Sequence, residues 1–162
     1  MTVTISALKV FEIAEQIERN GTAFYRKAAE MFNEPNICNM FLELAEWEAK
    51  HEQVFRDMRR QLSELNSKPR TFRPEKTQPD PQVIASLAVF GAGSEPVHKL
   101  KNIENVAGVL KKAIKKEEDS IAFYKNLKDF VPVNADKDKV DDIIEEEIRH
   151  IKILRQALEH RE

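Results

Sequence analysis

One cysteine, four glycines and no long apolar run set the first limits on this chain of 162 residues. Cys38 standing alone excludes an internal disulfide and any Cys-x-x-Cys metal site, and it fits a reducing compartment. The scarcity of glycine, beside abundant Glu, Lys, Ala and Leu, favours helix over sheet. Charge of one sign is also missing. A net charge of −2, with 33% of residues charged, offers no basic surface for nucleic acid or an anionic membrane. No segment reaches the ~18 apolar residues of a membrane span. The first residues lack the basic and apolar regions of a leader. The expectation is a soluble cytoplasmic protein folded as a single domain over 1–162.

What is present is helical periodicity with polar residues in the wrong place. Ile37, Phe41, Leu44, Phe55, Met58 and Leu62 recur in steps of three and four, the stripe of a buried helix face. Glu48 and His51 occupy the centre of that stripe. Ninety-nine positions later, Val140, Ile143, Leu154 and Ala157 form a second stripe, with Glu147 and His150 at its centre. Two earlier helices carry single insertions. Glu18 sits beside Val10, Ala14, Ile17, Gly21 and Phe24, and Glu117 beside Val109, Ala113, Ser120 and Phe123.

These stripes predict helices over about 6–33, 35–66, 102–130 and 136–160, the third capped by Asn102. The pairs are broken at Asn33-Glu34-Pro35 and at Pro132-Val133-Asn134. Glu18 and Glu48 lie fifteen residues either side of Asn33, and Glu117 and Glu147 fifteen either side of Pro132. Each hairpin therefore brings its two carboxylates to one height. The halves repeat with a period of 99: Ala14, Glu18, Phe24, Tyr25, Glu48 and His51 recur as Ala113, Glu117, Phe123, Tyr124, Glu147 and His150. The intervening 67–101 connector holds four prolines between Lys68 and Pro81, which exclude regular helix there, and predicts a short helix over 82–90 with Val83, Ile84, Leu87 and Ala88 as its packing face. Its length suits a crossover along the bundle rather than a short loop. The expected fold is all-α: a four-helix bundle of two hairpins joined by a long crossover.

Four carboxylates converging in such a core must be protonated, paired or bound to cations, because burying each bare ion costs several kcal/mol. Helices one and two carry no Lys or Arg on the ligand stripe, and Lys116 on helix three has no counterpart, matching Ile17. One Glu from each of two helices plus a Glu-x-x-His from each of the others is the layout of di-iron and di-manganese carboxylate bundles. Here Glu18 and Glu117 would be terminal ligands, His51 and His150 would complete each shell, and Glu48 and Glu147 would bridge. Tyr25 and Tyr124, seven residues after Glu18 and Glu117, either fill core volume or bond the ligand carboxylates. Glu46, Glu145, His98 and His160 read as solvated, Cys38 as a core or edge thiol, and Trp47 as packing rather than redox-active.

This six-residue constellation resembles the ferritin-like di-iron carboxylate superfamily, and most closely its rubrerythrin group. The resemblance implies a ferritin-like bundle, two iron ions per chain with manganese as the alternative, and redox chemistry with peroxide or dioxygen. It also implies a homodimer or larger assembly. Small ligands would reach the metals near Gly21 and Ser120. Two departures qualify it. Ser120 stands where rubrerythrins are expected to carry an extra Glu, making the site symmetric. One cysteine cannot build a rubredoxin domain, so electrons would come from a separate donor protein. Ala49 stands where a bacterioferritin carries its haem-ligating Met, so no haem is implied. Ferroxidase and iron storage or detoxification is the competing function, and a metal-stabilised interaction protein without turnover is a third.

Overall fold

A computed structural model describes residues 7–66, 100, 105–131 and 134–161. They form four helices: α1 (Ala7–Met31), α2 (Pro35–Asn66), α3 (Val106–Leu127) and α4 (Asn134–Glu159), with a 3₁₀ turn (Lys128–Phe130) closing α3. There is no strand among the described residues. The fold is the all-α four-helix bundle expected from the stripes. The 82–90 helix, His98, Asn102 and Pro132 lie outside the described residues.

Local chemistry sets the helix ends. Pro35 begins α2, where its missing N–H would have had no partner. The Cys38 amide donates to the Glu34 carbonyl at 2.9 Å. Its thiol donates to the Phe32 carbonyl at 2.8 Å, tying down the α1–α2 turn. The start of α3 differs from expectation. The cap is Asn105 rather than Asn102: its side chain accepts the Gly108 N–H at 2.8 Å, directly before the apolar run that begins at Val106. The α-helix also stops at Leu127, and the expected last turn to Phe130 tightens to 3₁₀.

Two apolar clusters fill the bundle. One holds the first half of α1 (Val10, Phe11, Ala14), the second half of α2 (Phe55, Met58), the end of α3 (Phe123, Tyr124, Leu127) and the start of α4 (Val140, Ile143). The other holds the end of α1 (Phe24, Tyr25, Ala28), the start of α2 (Ile37, Phe41, Leu44), the start of α3 (Val106, Val109, Leu110) and Leu154 of α4. Thus α2 ends beside the first cluster while α3 begins beside the second, and the second hairpin runs opposite to the first. Ion pairs on the rim fasten each hairpin: Arg19 to Glu52 at 2.9 Å in one, Lys128 to Asp141 at 2.6 Å in the other. Exposed pairs of this kind contribute at most about 1 kcal/mol each. The stability comes from the two clusters, and the layer between them is polar.

Candidate metal centre

That layer contains the six residues singled out by their positions. Glu18, Glu48, His51, Glu117, Glu147 and His150 are all buried, none more than 3% exposed. Every helix contributes, because each stripe meets the bundle axis at the same height. Their donor atoms fall into two overlapping sets, Glu18, Glu48, His51 and Glu147, and Glu48, Glu117, Glu147 and His150, each within 4.8 Å of one another. Glu48 and Glu147 belong to both sets.

The carboxylate oxygens divide their work. Tyr124 donates to Oε1 of Glu18, and Tyr25 to Oε1 of Glu117, each bond crossing between the hairpins. The amine of Lys116 donates to Oε2 of Glu48 at 3.0 Å. The opposite oxygens, Glu18 Oε2, Glu117 Oε2 and Glu48 Oε1, are buried without a hydrogen-bond partner. Glu147 is held at both oxygens, Oε1 by His51 Nδ1 at 3.0 Å and Oε2 by His150 Nδ1 at 2.9 Å. Three buried carboxyl oxygens without a partner are costly unless protons or a cation answer them. Four carboxylates and two imidazoles form the donor set for a divalent pair, so the residues fit the metals this arrangement implies.

Without metal, protons and one lysine balance the charge. Burial first, then the neighbouring Glu48 and Glu147, raise Glu18 from 4.5 to about 8, and the same causes push Glu117 well above its ordinary range. Burial also opposes ionisation of Glu147, but hydrogen bonds from His150 and His51 outweigh it and hold this carboxylate well below that range. For the histidines, burial disfavours the charged form. The bond to Glu147 and the Glu18 carboxylate 3.6 Å away nonetheless push His51 up to about 12, and the bond to Glu147 and the Glu48 carboxylate 3.6 Å away push His150 up to about 9. Lys116 is likewise held charged: burial works against it, and Glu48, Glu117, Glu18 and Glu147 prevail.

The remaining expectations are placed as follows. The Tyr25 and Tyr124 hydroxyls bond the Glu117 and Glu18 carboxylates, and their rings are fully buried, so the two alternatives left open for them both hold. Glu46, Glu145 and His160 are exposed. Trp47 is 40% exposed, so packing describes it only in part; its ring centre lies 6.4 Å from that of His150 and 4.4 Å from the Lys50 amine. Gly21 lies against the site: a Cβ there would come 2.1 Å from Glu48 Oε2 and 2.7 Å from the Lys116 amine. Ser120 turns its hydroxyl onto the Lys116 carbonyl at 3.0 Å.

Two contributors escaped the sequence reading. Glu146 accepts from Nε2 of His51 at 2.5 Å, fixing the ring so that Nδ1 faces the carboxylates. Its period-99 counterpart is Trp47, so the two histidines are held differently. The other is Lys116, visible as an unmatched cation on the stripe but not as the partner of Glu48.

Comparison with known proteins agrees with this geometry. The rubrerythrin family model matches residues 9–89. A solved structure from Thermotoga maritima, assigned provisionally as a ferritin-like diiron-carboxylate protein, is 28% identical with a TM-score of 0.70, over 98% of this chain and 97% of that one. No curated protein matches.

Proposed function

The chain belongs to the rubrerythrin family, and from that membership we propose that it is a non-haem di-iron oxidoreductase that reduces hydrogen peroxide or dioxygen. The observation that carries this reading is the pair of overlapping donor sets sharing Glu48 and Glu147. Glu18 and His51 would complete one iron's shell, and Glu117 and His150 the other's. Two ferrous ions, when bound, supply the two electrons that, with two protons, turn hydrogen peroxide into two waters.

The protein's own groups do the rest. Tyr124 and Tyr25 hold the terminal carboxylates by one oxygen and leave the other for metal. Glu146 orients His51, and the apolar clusters on both sides keep bulk water from the layer. Gly21 and Ser120 are small residues on the inner stripes beside the site, and the oxidant would approach past one of them. A separate protein in the cytoplasm restores the electrons, and the chain works as a homodimer or larger assembly.

Metal analysis and absorption spectroscopy test this. About two irons per chain, and oxidation of the reduced protein by peroxide faster than that of free ferrous iron, are the expected results. Failure to bind iron, or oxidation no faster than the free ion, overturns it.

A further inference from the structure

The six ligands and the two tyrosines match between the halves, but Glu146 has Trp47 as its counterpart and one flank also differs. Beside Gly21 stands Lys116, its side chain 8% exposed and its amine 3.0 Å from Glu48 Oε2. Beside Ser120, the period-99 counterpart of Gly21, the corresponding residue is Ile17, apolar and buried. Burying a lysine costs far more than burying an isoleucine. Helix packing does not require one here, since Ile17 fills the equivalent position.

Gly21 is what makes the placement possible. A side chain there would meet both the amine and the carboxylate, so the glycine opens the space that the lysine's end occupies. The amine also lies 5.6 Å from the centre of the Tyr25 ring, whose face steadies it. An ammonium has three N–H donors, and Glu48 is the only hydrogen-bond acceptor it has among the described residues.

We infer that Lys116 and Gly21 form a subsite for a small anion beside the bridging carboxylate Glu48, and that the oxidant meets the metal pair on this flank rather than at Ser120 and Ile17. The ligand class is a two- or three-atom anion, hydroperoxide in turnover. Lys116 holds it by charge and a spare N–H, and Gly21, by lacking a side chain, lets that amine reach the site beside Glu48. This rests on the di-iron reading and adds a direction of approach to it.

Azide, a small anion that takes open positions on ferric iron, is the probe. It is titrated into the iron-loaded, oxidised protein, and its charge-transfer absorption gives the dissociation constant. Lys116→Met keeps the length and removes the charge, so azide affinity should fall about tenfold or more, the value of a hydrogen bond to a charged group. Nitric oxide, a neutral probe of the ferrous form, should bind Lys116→Met as it binds the parent. Lys116→Gln, which removes the charge and keeps an N–H, should also weaken azide, and it carries the test if Lys116→Met does not load iron. Variants that load iron and bind azide as the parent does overturn the subsite and leave the di-iron reading standing. A parent protein that takes up no iron pair overturns both.

Discussion

Glu18, Glu117, His51 and His150 each hold a proton in the metal-free fold more tightly than in the unfolded chain, and this fixes the sign of the protein's response to pH. A group whose pKa rises on folding stabilises the fold fully below its unfolded value, and that contribution is lost as pH climbs through the folded value. For Glu18 the window runs from 4.5 to about 8, and for His150 from 6.5 to about 9. Glu147 has the opposite sign, but its contribution is lost only in acid, below the ordinary carboxylate range. The metal-free protein should therefore unfold at progressively lower temperature from about pH 6 to about pH 9. Thermal melts followed by circular dichroism, in chelator, give the slope. A flat or rising profile would contradict the proton-filled cage. Metal binding replaces those protons, so uptake should strengthen over the same range.

At the scale of the helix, position on the stripe decides the cost of a change. Phe55 of α2 is fully buried, with its ring centre 5.0 Å from that of Tyr124, which in turn holds Glu18. Leu42, on the same helix, is 47% exposed. Phe55→Ala should cost about 3–5 kcal/mol in chemical denaturation and weaken metal uptake by loosening Tyr124. Leu42→Ala should stay within about 0.5 kcal/mol and leave uptake unchanged. The same distinction explains what the sequence could disclose. Glu48 and His51 stood out because a polar pair interrupted an apolar stripe, and equal offsets from each turn put Glu18 and Glu117 at their height. Glu146 lies beside the stripe, 25% exposed, where a carboxylate ordinarily faces water. Its role exists only once α2 brings His51 across from the other hairpin. Asn102 and Asn105 are equal as caps by residue type, and only the Gly108 amide distinguishes them.

Apart from Arg161 to Glu34 at one end of the bundle, the described side-chain bonds from one hairpin to the other gather at a single level. Tyr25 to Glu117, Tyr124 to Glu18, Lys116 to Glu48 and His51 to Glu147 all cross there. Each donor set draws ligands from both halves, so cations bound there hold the hairpins together. At a hundredfold excess over its dissociation constant, a ligand specific for the folded state adds about 2.7 kcal/mol. Differential scanning calorimetry should show the iron- or cobalt-loaded protein melting above the chelated one. Equal melting temperatures would mean that the cage binds no metal.

That arrangement also has a mechanical meaning. Glu48 and His51 belong to one hairpin and Glu147 and His150 to the other, so a bound pair rivets the molecule at mid-height and makes two arms into one load-bearing unit. Pulled apart by its ends, the metal-free chain would yield hairpin from hairpin once the two apolar clusters and the few hydrogen bonds between them gave way. The loaded chain would yield only when a metal–ligand bond broke.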